Sequence, residues 1–257
     1  MSILESLLRY PTEVPRWARD RKRPLLDAGV PWWNYKTVEY MSQRLAPGSR
    51  VFEYGSGGST LWLVGRGMNV VSVENDPGWW NEVTRACPTA SILLAEMADT
   101  GTSYSPHGPT GKAGFYDEYV SAIDRYEDRS FDLVIVDGRA RVECVRHSIP
   151  KVRPDGLLLL DDSERDRYRE AHALLQSWKT QTFTGLGPQG SIRHATSTTV
   201  WSNWTTTDAA ARPASAALLA RGAGTTRRGR QLRRSPPRTY DGRQCAPNGP
   251  PPDSSSW

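Results

Sequence analysis

A glycine-rich turn between two apolar runs constrains the fold of this chain more than any other feature. Residues 51–64 read VFEYGSGGSTLWLV. The pattern predicts a buried strand that ends at Tyr54, a tight loop, and a helix that begins near Ser59. Gly55 and Gly57 can adopt a positive φ and let a ligand lie against the backbone. In a doubly wound sheet, a loop of this kind lies at the carboxyl edge of the strands, where ligands bind.

Apolar runs and helical patterns alternate along the rest of the domain. Further strands are predicted at residues 70–74, 90–94, 131–136, 157–160, 182–188 and 195–202. Helices are predicted at residues 37–45, from Pro77, and at 115–126, 142–152 and 163–178. Strands that alternate with helices indicate a parallel sheet with helices on both faces, so the chain is assigned to the α/β class.

The acid at the end of the second strand, Glu74, follows Glu53 by 21 residues. In nucleotide-binding folds, an acid at about this spacing binds a ribose hydroxyl. The alternative is that Glu74 caps the next helix. Asn75 and Asp76 already supply capping side chains ahead of Pro77, so we favour the ribose role.

Three motifs together resemble class I S-adenosylmethionine-dependent methyltransferases. The order acid-x-Gly-x-Gly-Gly at residues 53–58 is similar to motif I of that family, and FDLVIVDG at 131–138 with KVRPDGLLLLDD at 151–162 resembles its fourth and fifth strands. The resemblance covers about residues 35–204. It implies a seven-stranded, mostly parallel sheet of order 3-2-1-4-5-7-6 with helices on both faces. A dinucleotide fingerprint would instead need glycine at Thr60.

The resemblance also implies a cofactor, S-adenosyl-L-methionine, and the residues that hold it. Glu53 would act around the cofactor's amino group, Glu74 would bind its ribose, and Glu96 would contact the adenine side. The predicted cofactor contacts are Glu53, Gly55, Ser56, Gly57, Gly58, Ser59, Glu74, Asn75, Glu96 and Asp137.

Three aspartates follow the fourth and fifth strands: Asp137, Asp161 and Asp162. Such acids repel one another unless a cation, protons or arginines compensate them. One interpretation is a divalent ion, with Mg²⁺ bound by all three carboxylates, as in metal-dependent small-molecule and sugar O-methyltransferases that the pattern resembles. The other is neutralisation by Arg139 or Arg141, which could also bind an anionic acceptor.

In both interpretations the acids form the catalytic centre, with Asp137, Asp161 and Arg139 as the predicted catalytic residues. Without a metal, Asp137 could serve as general base. Asp162 has a second interpretation, as the cap of a helix that begins near Ser163.

Aromatic residues stand just before the first clear helix. Trp32, Trp33 and Tyr35 are expected to pack residues 1–35 onto the core, and the alternative is that this segment forms a lid over the acceptor site. Trp79, in a later helix, is assigned to the core rather than to the site.

A long loop is predicted over residues 100–114, and loops of this length are often functional or mobile. It contains His107, which is interpreted as a surface histidine rather than a general base.

The net charge of +5 is concentrated in the last part of the chain. Residues 206–257 hold nine arginines against three aspartates, a net of +6 that leaves −1 for the first 205 residues. The body therefore gives no sign of a nucleic-acid surface. From 205 onward the composition predicts a disordered, solvated tail, whose basic run could bind RNA or an acidic membrane.

The three cysteines, Cys87, Cys144 and Cys245, form no C-x-x-C pair, which argues for a reducing cytoplasm. No apolar run is long enough to cross a bilayer, and no signal-peptide pattern is expected.

The sequence thus predicts a cytoplasmic methyltransferase that uses S-adenosylmethionine and methylates a hydroxyl of a small molecule or sugar. Two other classes stay open: a non-catalytic nucleotide-binding or scaffold protein of the same fold, and an NAD-linked oxidoreductase, which Thr60 disfavours.

Overall fold

The computed structural model of the protein describes residues 3–106, 113–188 and 191–203. His107 and the predicted tail from 205 onward lie outside the described residues. Within the described ranges, no helix has both the length and the apolar character needed to span a membrane.

The strands are β1 Arg50–Tyr54, β2 Asn69–Glu74, β3 Ser91–Leu94, β4 Tyr104–Ser105, β5 Gly114–Phe115, β6 Phe131–Val136, β7 Val152–Leu160, β8 Lys179–Gly185 and β9 Thr196–Ser202. The α-helices are α1 Ile3–Arg9, α2 Val14–Asp20, α3 Leu25–Ala28, α4 Tyr35–Arg44, α5 Gly58–Val64, α6 Pro77–Ala86, α7 Asp117–Ser121, α8 Arg141–Ser148 and α9 Arg169–Leu174. Short 3₁₀ helices occupy Ala122–Arg125, Ile149–Lys151 and Asp166–Tyr168.

Seven strands form one sheet in the order β3-β2-β1-β6-β7-β9-β8. Only β9 runs antiparallel to its neighbours β7 and β8. Because β4 and β5 pair separately, this order is the predicted 3-2-1-4-5-7-6, and the predicted fold class is confirmed. Tyr54 pairs with Val136, and Val136 pairs with Leu160, so β1, β6 and β7 end level with one another.

The central strands are apolar on both faces because helices cover both faces. Phe52, Val134 and Leu158 belong to one buried cluster, which α7, α8 and α9 complete. Val51 and Leu133 belong to a second cluster on the opposite face, with side chains from α4 and α5. This double burial fixes the carboxyl ends of β1, β6 and β7 side by side.

The helix predicted over residues 163–178 is wrong, since only Arg169–Leu174 is α-helical. Asp162 has φ 52°, which interrupts a right-handed helix at its start. The backbone N–H of Ser163 then donates to the Ser197 carbonyl at 2.8 Å, which ties the segment to β9. Asp162 therefore does not begin a helix at Ser163.

The loop predicted over residues 100–114 contains two short strands, β4 and β5, which pair with each other. The helix predicted from residue 115 begins instead at Asp117 and becomes a 3₁₀ turn after Ser121. The Asp117 carboxylate accepts bonds from the Thr102 and Ser103 N–H groups, so this acid holds the loop against α7.

The N-terminal segment packs against the far end of the sheet. Trp33 and Tyr35 are buried, which supports the packing role that the sequence indicated for them. The buried Glu13 carboxylate accepts a bond from the Leu186 N–H at 2.6 Å. A Cβ on Gly58 would lie 2.3 Å from the Val30 carbonyl oxygen, so this segment fits closely over the start of α5.

Candidate functional site

A cavity of about 500 Å³ opens at the carboxyl ends of β1, β2, β6 and β7. Its wall consists of Trp32, Glu53, Gly55, Ser56, Gly57, Gly58, Ser59, Glu74, Asn75, Trp79, Asp137, Gly138, Arg139, Arg141, Asp161, Asp162 and Thr196. Every predicted cofactor contact except Glu96 is therefore in this wall. Glu96 is exposed just beyond β3 and is not among the lining residues.

The glycine loop lies directly against the loop that follows β6. Gly55 has φ 94°, a conformation that side chains other than glycine rarely adopt. A Cβ there would lie 3.0 Å from the Asp137 carbonyl oxygen. The close approach brings the loop's ligand-facing backbone next to the aspartate cluster.

Glu53 is buried beneath the glycine loop and is bound by three hydroxyl groups. Ser59 Oγ donates to Glu53 Oε1, while Thr60 Oγ1 and Ser72 Oγ donate to Oε2 at 2.6 and 2.8 Å. Burial raises the pKa of Glu53 to about 7, and Glu74 acts in the same direction, although the three hydroxyls oppose the rise. In the described parts of the chain no ion pair neutralises this acid, which distinguishes it from Asp137 and Asp162 across the cavity.

Glu74 accepts four hydrogen bonds from the chain itself. The Ser56 N–H and Oγ donate to Oε2 at 3.0 and 2.9 Å, and the Asn75 and Asp76 N–H groups donate to Oε1 at 2.8 and 3.1 Å. A carboxylate offers about four acceptor positions, so these donors fill it. A ribose hydroxyl could reach Glu74 only by replacing one of them, and the Ser56 hydroxyl is the one that can rotate away.

Asn75 and Trp79 complete this side of the cavity. The buried Nδ2 of Asn75 has no hydrogen-bond partner among the described residues. Because buried donors are normally hydrogen-bonded, this amide is suited to donate to an acceptor atom of a ligand in the cavity. Trp79 Nε1 donates to the Ser56 carbonyl at 2.8 Å, and a Cβ on Gly57 would lie 3.5 Å from the Trp79 ring.

The assignment of Trp79 to the core was incomplete, because its ring also forms part of the cavity wall. The available signal was its place in the first turn of a helix capped by Asp76, since side chains there point back towards the sheet edge.

On the opposite side, arginines neutralise the aspartate cluster. Arg141 Nη2 lies 2.9 Å from Asp137 Oδ1 and 3.7 Å from Asp162 Oδ2, and its Nη1 donates to the Asp161 carbonyl at 2.5 Å. Arg165 Nη2 lies 2.5 Å from Asp162 Oδ2. Of the two arginines that the sequence offered, Arg141 takes this role; Arg139 lines the cavity without an ion pair in the described parts of the chain.

The pKa values of two aspartates rise because they are withdrawn from water beside other acids. Burial raises the pKa of Asp137 to about 6, with Asp162 and Glu53 adding to the rise while Arg141 opposes it. Burial and the Asp137 charge raise the pKa of Asp161 well above its ordinary range. A pKa of about 6 leaves Asp137 mostly ionised at neutral pH and close to its titration point.

A chain of hydrogen bonds positions Asp161 and was not foreseen from the sequence. Thr198 Oγ1 donates to Asp161 Oδ1 at 2.5 Å and accepts from Asn34 Nδ2 at 3.2 Å. Asn34 also caps α4 by accepting from the Thr37 N–H at 3.1 Å. Nothing local in the sequence marks these residues, because β9 and the start of α4 meet only in the folded sheet.

The aspartate cluster does not fit a magnesium site. Each acid already has a protein partner: Asp137 binds Arg141, Asp162 binds Arg141 and Arg165, and Asp161 binds Thr198. The described residues also contain no group of three or more acidic, histidine or cysteine side chains arranged to hold a metal ion. The structure thus favours arginine neutralisation over the metal at Asp137, Asp161 and Asp162.

Two non-glycine residues at this cluster have a positive φ: Ala140, at 43°, and Asp162, one of the three acids, at 52°. Alanine in this conformation is strained, and such strain concentrates at functional sites. Ala140 adopts this left-handed conformation just before α8, and Arg141, the first residue of the helix, donates to Asp137.

No protein-family model and no curated protein matches this sequence. Among solved structures, a methyltransferase-like protein from Silicibacter pomeroyi is 23% identical, with 71% of this chain and 91% of that chain covered and a TM-score of 0.42. A TehB-like SAM-dependent methyltransferase from Corynebacterium glutamicum is 14% identical, with 78% and 98% covered and a TM-score of 0.42. Spermidine synthase from Thermotoga maritima is 13% identical, with 62% and 55% covered and a TM-score of 0.42.

Proposed function

We propose that this protein is an S-adenosylmethionine-dependent methyltransferase that methylates a hydroxyl of a small molecule or sugar. The observation that carries the proposal is one cavity with two chemically different sides. The glycine loop, Glu53, Glu74 and an unsatisfied Asn75 amide form one side, and an ionised aspartate held by Arg141 forms the other. A cavity of about 500 Å³ is within the range of small-molecule sites, roughly 300–1,000 Å³.

The residues of the first side fit the cofactor. Glu53 would attract the ammonium of its methionine end, and the backbone at Gly55 and Gly57 lets that end approach closely. Asn75 Nδ2 would donate to an acceptor on the ribose or adenine, and Glu74 would accept from the ribose hydroxyls once the Ser56 hydroxyl turns away. When bound, S-adenosylmethionine supplies an electrophilic methyl group on a sulfonium.

On the second side, Asp137 would act as general base. Its pKa of about 6 leaves it ionised at pH 7 yet close enough to that pH to take a proton efficiently. Asp137 would take the proton of the acceptor hydroxyl, so that this oxygen could receive the methyl group that the cofactor would supply on its conversion to S-adenosylhomocysteine. Arg141 fixes the Asp137 carboxylate in position for this transfer.

The NAD-linked alternative is disfavoured by the role of Thr60. Its hydroxyl donates to Glu53 at 2.6 Å and accepts from the Gly57 N–H at 3.0 Å. Thr60 stands where a dinucleotide fingerprint has its third glycine, and its side chain joins Glu53 to the backbone of the glycine loop.

Calorimetric titration tests the cofactor directly. We expect S-adenosylmethionine and S-adenosylhomocysteine to bind, and NAD to show no saturable heat. Binding of NAD in preference to S-adenosylhomocysteine would overturn the proposal. A transfer screen with labelled cofactor against hydroxylated acceptors then separates an enzyme from a non-catalytic nucleotide-binding protein.

The variant Gly57→Val tests the glycine loop. Its branched side chain would point towards the Trp79 ring and the cavity, so we expect at least about 100-fold weaker binding of S-adenosylhomocysteine, roughly 3 kcal/mol. Gly48→Val is the matched control: Gly48 also has a positive φ, 85°, but a Cβ there has open space around it. The control should lose stability through backbone strain and keep its affinity. Equal affinities in both variants would remove the loop from the cofactor site.

A further inference from the structure

A second cavity, of about 260 Å³, adjoins the first beyond Gly138. The two cavities share Gly138, Arg139 and Arg141 as a common wall. The second cavity is lined besides by Arg165 and Arg167, by Tyr168, and by Tyr104 at its rim. Four arginines around one small cavity form a concentration of positive charge that the proposed methyl transfer alone does not explain.

The acids near this cavity leave two of its arginines unpaired. Arg141 and Arg165 are bound by Asp137 and Asp162, as described above. Glu143 and Glu170 also line the cavity, but both carboxylates bind Arg146, at 3.2 and 2.5 Å.

Across the described parts of the chain, Arg139 and Arg167 take part in no ion pair. A guanidinium has five N–H donors and binds oxyanions in a forked geometry, so two unpaired arginines favour an anionic ligand.

Aromatic rings support and border these arginines. The Arg167 guanidinium lies 5.0 Å from the centre of the Tyr168 ring, which is buried, and Arg141 lies 5.6 Å from the same ring. Tyr168 thus holds Arg167 at the cavity without neutralising it. At the rim, Tyr104 is 55% exposed and its ring lies 5.6 Å from that of Phe115 in an edge-to-face contact.

We propose that the methyl acceptor is an anion: a hydroxylated small molecule with a phosphate or carboxylate group that Arg139 and Arg167 bind in the second cavity. This inference rests on the proposed methyl transfer. The shared wall places the acceptor's uncharged part next to Gly138 and thus beside Asp137, which takes the hydroxyl proton. Arg139 borders both cavities, so its charge marks the passage from the anion site to the transfer site.

Anion binding can be tested without cofactor and without an identified acceptor. The probe is inorganic phosphate, titrated by calorimetry against the full-length protein at constant ionic strength, with acetate in a parallel titration to compare a carboxylate. We expect saturable phosphate or acetate binding that Arg139→Gln and Arg167→Gln each weaken by about 10-fold or more, the scale of a lost charge-assisted bond. Whichever anion binds more tightly identifies the group that the acceptor carries.

The matched control is Arg169→Gln. Arg169 is two residues from Arg167, is exposed, pairs with Asp166 at 3.0 Å and does not line the cavity. The Arg169→Gln variant should bind the anion with the affinity of the wild-type protein. Absence of saturable binding by either anion, or binding that both cavity variants retain, would overturn the proposal. Because no cofactor is present, this result is independent of the titration with S-adenosylhomocysteine.

The transfer screen gives the second readout. Hydroxylated acceptors are supplied in matched pairs, with and without a phosphate or carboxylate group. We expect the anionic member of a pair to have the lower KM, and Arg167→Gln to raise that KM while the neutral member is unaffected. Preferred methylation of neutral members would contradict the inference and leave the methyltransferase assignment intact.

Discussion

The two sides of the first cavity stabilise acidic side chains in different ways. Around the glycine loop, the partners of Glu53 and Glu74 among the described residues are hydroxyl and backbone N–H donors. At the ends of β6 and β7, Asp137 and Asp162 are held by the guanidinium groups of Arg141 and Arg165. The first arrangement leaves negative charge without a cation, whereas the second balances it.

This difference indicates what each side can recognise. Hydroxyl and N–H donors are directional, so the glycine loop must keep one shape, and its uncompensated acids suit a cationic cofactor. Ion pairs with arginine fix the aspartates and balance their charge, and Arg139, which has no ion pair among the described residues, lies on the same side and suits an anionic acceptor. Variants that change one side should therefore leave the other side's ligand unaffected.

The largest expected effect is on transfer, at Asp137. Asp137→Asn removes the proposed base, and we expect kcat to fall by about 10²-fold to 10⁴-fold. In the wild-type protein, kcat should rise with pH through about 6, because Asp137 accepts a proton only after losing its own. The variant's residual rate should lack this rise. A pH profile unchanged by the substitution would assign the proton to another group.

The next effect is on stability, at Arg141. Arg141→Ala leaves the partly buried Asp137 carboxylate without its cation, and we expect up to about 3 kcal/mol less free energy of unfolding in a urea titration. Arg169→Ala, which removes an exposed pair, should leave that free energy nearly unchanged. If the two variants were equally stable, the ion pairs at the strand ends would have no structural role.

A smaller effect is expected on the glycine-loop side, in the pH dependence of stability that Glu53 causes. The pKa of Glu53 is about 7 in the folded protein against an ordinary 4.5, so the folded state binds more protons between these values. The contribution of Glu53 to stability should therefore be largest below pH 4.5 and decrease as the pH rises to about 7.

The variant Glu53→Gln cannot ionise, and it should remove about 2–3 kcal/mol of that decrease. Urea unfolding at pH 5 and pH 8 gives the comparison, with Glu82→Gln on the exposed side of α6 as control. If Glu53→Gln and the wild-type protein showed the same pH dependence of the free energy of unfolding, that dependence would be attributed to the aspartates and not to Glu53.

The smallest expected effect concerns divalent ions. Because arginines and Thr198 already bind the aspartates, EDTA should change neither the affinity for S-adenosylhomocysteine nor the rate of transfer. Loss of transfer in EDTA with recovery in Mg²⁺ would reverse this conclusion and remove the distinction between the two sides.

The sheet and the glycine loop were predictable because their causes are local. Double burial gives β6 and β7 continuous apolar runs, and a strand followed by a glycine turn and a helix has a characteristic pattern at residues 51–64. The order of the seven strands came from the resemblance of three motifs, and the structure confirms it.

The unpredicted parts depend on contacts between distant segments. Asp137 forms its ion pair with Arg141 and not with Arg139. The residue between these two arginines, Ala140, has a left-handed conformation that residue spacing does not reveal. Thr198 reaches Asp161 only through the antiparallel pairing of β9 with β7, in which Leu160 faces Thr199. The helix predicted from Ser163 failed because Ser163 bonds to β9 instead of continuing a helix.

The position of β9 between β7 and β8 has a consequence for how the chain is made. On a ribosome, β7 emerges before β9, so for a time its outer edge has unpaired N–H and C=O groups and Asp161 lacks its Thr198 bond. An exposed edge strand is prone to pair with other chains, which makes this interval the one most open to aggregation. The side of the cavity that contains Asp161 is therefore completed only when residues 196–202 have been synthesised and inserted, so a nascent chain that stops earlier has the glycine loop without the Thr198 bond to Asp161.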